Sequence, residues 1–546
     1  MEKIQLTANY VDLSSEQIYP AMLLIQEGVI VRVDPKGTAA DPGLPYVLPG
    51  FIDAHVHIES SMLVPSEFAR LASVHGTVAT VSDPHEIANV LGTAGVDFMI
   101  NNGKKVPFKF FFGAPSCVPA TPFETAGATL DAAAVQALLE RKDIYYLSEM
   151  MNFPGVLQGD PEVQAKIQAA LAAGKPIDGH APGLRASDAR SYAEAGRPGE
   201  VTISTDHECF SREEALDKLA CGQQILIREG SAARNFDALA DLLAEHADRM
   251  MFCSDDKHPD SLAAGHINQL VVRALQRGLP LFNVLKAACL NPVRHYDLPV
   301  GLLRPGDPAD FIVVGNLQDF QVQATYNNGI KTAANGQTCI PRVAVRPINH
   351  WTCTPKRPAD FHIRLASDQK DISVIAALDG QLITERERWP VMALEDPDAG
   401  INLITVVNRY QDQPPAVAFI RNFGLRRGAL ASSVAHDSHN IIAVGTSADL
   451  LCEAVNAIIA AKGGVCAING ADRQVLPLPV AGLMSAEDGY QIARRYGELD
   501  QMAKSMGSTL DAPFMTLSFM ALLVIPHLKL SDKGLFDGDA FAFVPV

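Results

Sequence analysis

Between residues 50 and 256 the chain repeats one rhythm, a short apolar run followed by a helix-compatible stretch, and that rhythm limits the folds open to it. The runs are "GFIDAHVH", "TVATVSD", "FKFFFGA", "IYYLSEM", "PIDGHA", "VTISTDH", "QILIREG" and "MMFCSDD". Between them lie segments such as "DPEVQAKIQAALAAGK", with Asp160 placed to cap, Pro161 at the first helical position and Gly174 at the end. Similar segments run through 131–141, 211–221 and 235–247. Eight strands alternating with helices predict an α/β fold, a closed (β/α)8 barrel whose strand C-termini share one mouth. A doubly wound open sheet has the same alternation, but no glycine-rich phosphate turn follows the first strand.

At 546 residues the chain exceeds one ordinary core, so flanking domains are expected. Residues 1–48 alternate apolar and polar, and Glu27-Gly28 sits between two strand-like runs as a hairpin turn. The alternation returns within 296–348, in "GLLRPGDPADFIVVGNL", so these two segments are expected to form one small β-sandwich domain bracketing a barrel at 49–295. Residues 349–546 mix strand runs ("INLITVVNRY", "AVAFIRN", "IIAVG") with helices ("SADLLCEAVNAIIAAKG", "SAEDGYQIARRYGEL"), which predicts a separate C-terminal α+β domain. The most apolar stretch, "FMTLSFMALLVIPHLKL", is broken by Pro526 and reads as core, not as a membrane span.

A net charge of −17 without a basic face argues against nucleic acid as a partner. The nine cysteines never form a C-x-x-C pair, so neither a disulfide framework nor a thiolate zinc site is indicated. The opening "MEKIQLTANYVDLSS" lacks the cationic start and apolar core of a signal peptide, and a cytoplasmic protein is expected. Hydrophobic content of 48 % suggests burial against a second copy, a homodimer.

His55 and His57 stand two residues apart, so on a strand both face the same side and can hold one ion. Spacing alone is a weak signal. The ends of other strands add Glu149, His180, His207 and Asp255, and four histidines with two carboxylates at one mouth are hard to account for as packing. Strand alternation lets only one of Asp255 and Asp256 face the centre. In "SDPHE", Asp83 reads either as a helix cap ahead of Pro84 or as a substrate contact, while His85 and Glu86 are favoured for substrate. Met150 and Glu208, beside ligand positions, either line the pocket or only pack. His436, Asp437 and His439 in "AHDSHN" read first as surface-loop residues, with an extra ion or a reach over the mouth as the alternative. Of His258 and His266, one is expected near the site and the other on a helix face, and Arg228 with Glu229 is expected as an internal ion pair.

This order of strand-end residues resembles that of the amidohydrolase superfamily of metal-dependent hydrolases. Within it, "PGFIDAHVHIESS", "SDPHEIANV", "SEMMNFPGV", "DGHAPG", "STDHE", "CSDDKHPDSL" and "LPLPVAGLMS" are similar to motifs of the bacterial adenine deaminase family, in order and across nearly the whole chain. The resemblance implies two divalent ions, Mn or Fe, with Zn also admitted by imidazole and carboxylate ligands. It implies His55, His57 and Asp255 on one ion, His180 and His207 on the other, and Glu149 bridging them where many relatives carry a carboxylated lysine. The implied reaction is hydrolytic deamination of adenine, a small purine base, to hypoxanthine and ammonia in purine salvage. Asp255 is the natural base beside the attacking water, with His85 and Glu86 as acids toward the ring. Three alternatives stand beside this reading. A cyclic amidase would place a lysine on the fourth strand and an arginine at the mouth, a relative could act on another aminopurine, and a non-catalytic relative would have lost ligands, whereas all six positions are filled.

Overall fold

The structure is a computed structural model that describes residues 3–546; Met1 and Glu2 of the expected first β segment lie outside the described residues. Strands Phe51–Val56, Thr77–Ser82, Lys109–Ala114, Ile144–Met150 and Ile177–Gly179 pair in that order as a parallel sheet, and Thr205–Asp206, Gln224–Arg228 and Met250–Cys253 form a second one. Backbone hydrogen bonds join the two at both edges. Ser204 N donates to Ile177 O at 2.8 Å, and across the other seam Asp255 N donates to His55 O at 2.9 Å. The eight strands therefore close into a barrel with its C-terminal ends at one mouth. Every residue of the first two strands is buried, as expected for strands covered on both faces.

The outer helices start where their caps predict. Asp160 accepts from Glu162 N and Val163 N with Pro161 leading the helix, and Asp131 and Ser211 cap Ala132–Leu139 and Arg212–Ala220. Two expectations fail locally. The sixth run pairs only at Thr205–Asp206, because Thr202 N and Ile203 N donate instead to Ala193 O at the end of the preceding helix. The expected helix over 235–247 breaks into Phe236–Leu239, a 3-10 turn at Ala240–Leu242, and Leu243–His246. Phe236, Leu239, Ala240 and Leu243 are buried at the spacing of one helical face, so the apolar stripe survives the break.

Strands between Ile4 and Pro49 and between Phe311 and Thr338 share one eight-stranded sheet. Its Glu27-Gly28 turn has positive φ at both residues (52° and 80°), the type I′ geometry that suits a two-residue hairpin. A second eight-stranded sheet spans Asp371–Pro477. Its strand Ile441–Gly445 sends Ile441 and Ala443 toward helix Ala448–Ala461, and Ile442 and Val444 into a core shared with Met62, Leu63 and Phe68 of the barrel. The C-terminal region thus shares one core with the barrel, helix Gly489–Ser505 packing against both the sheet and barrel helix Pro65–Ala72. The apolar run 514–530 supplies the buried helix Pro513–Phe519, and no helix among the described residues is long and apolar enough to cross a membrane.

Candidate active site

Six side chains from five strand ends meet at the mouth. His55 Nε2 lies 3.2 Å from His57 Nε2, and Asp255 Oδ1 lies 3.2 Å from His57 Nε2 and 3.6 Å from His55 Nε2. Glu149 stands between two groups of histidines. Its Oε1 is 3.2 Å from His57 Nε2, while Oε2 is 2.8 Å from His180 Nδ1 and 3.2 Å from His207 Nε2. One carboxylate thus faces a histidine of each pair with a different oxygen. Burial alone would raise the Glu149 carboxyl, but the His180 charge and hydrogen bonds from the histidines hold it well below the usual range. Asp255 is held down likewise against its burial, first by the Arg228 guanidinium and then by His57. Burial, reinforced by His207, keeps His55 well below its ordinary value and hence neutral, the form in which imidazole ligates.

The set fits metal. Two imidazole nitrogens facing each other at 3.2 Å, the buried Nδ1 of His55 and Nε2 of His180 without hydrogen-bond partners, and ionised carboxylates between them make a nitrogen and oxygen donor set with no thiolate. The divalent metal that the fold family implies has candidate ligands in His55, His57 and Asp255, in His180, His207 and Glu208, and in Glu149 between them. Asp255 follows the end of its strand at Cys253 and adopts a left-handed backbone, φ 53°. Because the strand has already ended, alternation no longer applies, and Asp256 also faces the cavity, contrary to expectation. Ser60 Oγ donates to Asp256 at 2.5 Å.

The cavity above these groups is tight, about 20 Å³, room for little more than a water-sized molecule. Its far wall comes from the C-terminal region: Leu382, His436, Asp437, Phe519 and Leu522. The surface-loop reading of "AHDSHN" is therefore overturned. His436 and His439 are buried and both clasp Glu86, His436 Nδ1 at 2.5 Å from one oxygen and His439 Nε2 on the other. His85 Nε2 is 3.4 Å from Glu86 and 3.7 Å from Asp437. Although burial opposes it, the Glu86 and Asp256 carboxylates push His436 up to about 9.

Other expectations shift by a residue or a layer. Met151, not Met150, walls the cavity; Met150 points into the hydrophobic core, since it ends a strand whose side chains alternate. Asp83 sits behind His85, its carboxylate 2.9 Å from His85 Nδ1, accepting from His85 N and from Ser148 Oγ at 2.7 Å, so it orients His85 and does not reach the cavity. The helix there begins at His85 with Pro84 in the capping position, one residue later than the sequence suggests. Glu208 does line the cavity, 3.4 Å from His207 Nε2 and bonded to Arg228. Arg228 pairs with Glu208 and Asp255 instead of Glu229, which goes to Arg273. That arginine is spent on internal carboxylates, unlike the free anchor a cyclic amide's carboxylate requires. His258 reaches Tyr496 across the domain junction, and His266, which heads helix Ile267–Gln276, is buried against Asp53 (2.8 Å) and Thr77 (2.6 Å). The signal for His436 and His439 was present in "AHDSHN", but its partner Glu86 lies some 350 positions away in the chain.

Residues 46–338 match the amidohydrolase family, and residues 381–542 match the adenine deaminase C-terminal domain. The chain is 57 % identical over 541 residues to an adenine deaminase of Salinibacter ruber, covering 98 % of this chain and 97 % of that protein. It is 54 % identical to an adenine deaminase of a Sulfurovum species, covering 99 % of each. Among solved structures, a β-aspartyl dipeptidase from Fervidobacterium islandicum aligns over 62 % of this chain and 98 % of that one, with a TM-score of 0.47 at 16 % identity.

Proposed function

The chain belongs to the amidohydrolase family and, over its whole length, to the adenine deaminases, and from that premise we propose that it hydrolyses adenine to hypoxanthine and ammonia in the cavity at the barrel mouth. The observation that carries this reading is Glu149, whose two oxygens address His57 on one side and His180 with His207 on the other. That placement supports a pair of divalent ions, Mn or Fe with Zn also suited, held by His55, His57 and Asp255 and by His180 and His207, with Glu149 between. Such ions bring the pKa of water from 15.7 to about 7 and so supply a nucleophile at neutral pH.

The chain's own groups do the rest. Arg228 Nη1 donates to Asp255 Oδ2 at 2.8 Å and fixes the carboxylate, so that Oδ1, turned toward His55 and His57, is presented to the proton of the attacking water. As oxygen adds to C6 of the ring, that proton passes from Asp255 to the departing amino group, the C6–N bond breaks and ammonia leaves, and the second water proton, left on the C6 oxygen, returns to the acid that protonated the ring. His85, oriented by Asp83, is placed to deliver a proton to a ring nitrogen so that negative charge does not build on the purine, while Glu86, which His436 and His439 hold as a carboxylate against its burial, stands beside it. Glu208 and Met151 complete the wall beside it. The test is to assay purified protein for bound metal and for the ultraviolet change of adenine to hypoxanthine. Two metals per chain with turnover are expected; a metal-loaded protein that leaves adenine intact overturns the reading.

A further inference from the structure

A base must reach a cavity whose walls are closed. Of the side chains lining it, all are buried except Leu382, which is half-buried. On its other side Leu382 lines a second cleft of about 300 Å³, open to solvent, and Glu208 is shared by the two spaces as well. The remaining walls of this cleft are mostly apolar and come from both halves of the molecule: Phe153, Pro182 and Phe210 from the barrel loops, Ile383 and Ile525 from the C-terminal region. At its rim Phe210 is 58 % and Ile383 37 % exposed. Large apolar side chains left in water beside a buried site fit a planar heteroaromatic visitor, which they can stack on or slide past.

We propose that this cleft is the vestibule through which the purine base reaches the catalytic cavity, and that the side chain of Leu382 is the gate between them. The inference rests on the deaminase reading for the identity of the visitor. Leu382 sits at the tip of the hairpin joining Asp371–Ala377 to Thr384–Pro390, where Gly380 turns with φ 70°. The backbone at that tip is fixed from below. Lys529, fully buried, donates from Nζ to Leu382 O at 2.6 Å and to Phe519 O at 3.0 Å, tying together two residues of the cavity wall. With its carbonyl held, Leu382 opens the passage by rotating its side chain, a motion of the ps–ns kind for partly exposed residues, without lifting the domain.

A gate and a wall contact differ in kinetics. A wall contact changes affinity through the dissociation rate, whereas a gate changes association and dissociation together and leaves the Kd nearly fixed. Stopped-flow binding of hypoxanthine to the metal-loaded protein separates them. Leu382→Trp is expected to slow both rates at least tenfold with Kd within threefold, and to lower kcat/KM for adenine in parallel. Leu382→Ala is expected to raise both rates. Rates unchanged in both variants, or a Kd shift carried by dissociation alone, overturn the proposal. Should the tryptophan variant fail to fold or load metal, Leu382→Cys, labelled after metal loading, replaces it. A bulky maleimide is then expected to block hypoxanthine while a methylthio group does not, with wild type treated identically because Cys339 is exposed; equal behaviour of the two labels overturns the gate. Wild-type protein that fails to bind hypoxanthine or turn over adenine sinks the deaminase reading instead, so the two failures are distinguishable.

Discussion

Two sets of buried histidines face the same cavity and are used differently. The barrel set, His55, His57, His180 and His207, crowds its nitrogens around one another and around Glu149. The C-terminal pair, His436 and His439, closes on a single carboxylate, Glu86. Imidazoles facing each other at contact distance need something positive between them or must stay neutral, whereas a carboxylate can hold a buried imidazole as a cation, as Glu86 does His436, while burial keeps His439 below its ordinary value. The first arrangement suits ligands; the second suits a device that holds a carboxylate in place. Burial is the same in both, so burial alone says nothing about which role a histidine has.

Substitutions can break this contrast, and the largest effect is expected at the reacting centre. Asp255→Asn should retain most of the metal yet lose about 10³-fold or more in kcat, as removal of a general base does; metal analysis beside the ultraviolet assay checks it. His180→Ala should lower metal content from two ions toward one, and with it activity by about 100-fold or more, because a ligand has no substitute among the groups around it. His436→Asn should cost about 10- to 100-fold in kcat/KM with both ions retained, the scale typical of residues that orient another group. Loss of metal in that variant would merge the two histidine sets and abolish the distinction.

The smallest effect is on stability. Glu86 and Asp256 raise His436 to about 9 in the folded protein, above the ordinary value near 6.5. A raised folded pKa gives stability that is complete below about 6.5 and is lost as pH climbs through about 9. The melting temperature of metal-loaded protein should therefore exceed that of His436→Gln by a few degrees at pH 6.5, with the gap narrowing by pH 9.5. A constant gap would mean that His436 is held by packing on Phe519, 4.8 Å away between ring centroids, and not by charge.

The barrel and its histidines are legible in the chain because the information is local. Seven of the eight strand runs, all but "FKFFFGA", carry a polar residue at or next to the C-terminal end, and their order implies a shared mouth. Asp255 and Asp256 mark where local rules stop, since alternation fails two residues beyond the strand and both carboxylates turn inward. Met150 against Met151 is a similar slip at a strand end. The roof was not legible. Leu382, His436, Asp437 and Phe519 reach the cavity only because the C-terminal sheet shares a core with the barrel, and no periodicity within residues 349–546 reports what that sheet packs against.

The left-handed backbone at Asp255 constrains how that position can drift. With φ at 53°, asparagine, aspartate and glycine sit there at little cost, while a longer or β-branched side chain is strained by roughly 1–2 kcal/mol before any chemistry is considered. Of the three tolerated residues only aspartate carries a carboxylate. The mutational neighbourhood of this one residue therefore contains substitutions that keep the fold and lose the charge, or keep the charge and bend the fold, and none that keeps both.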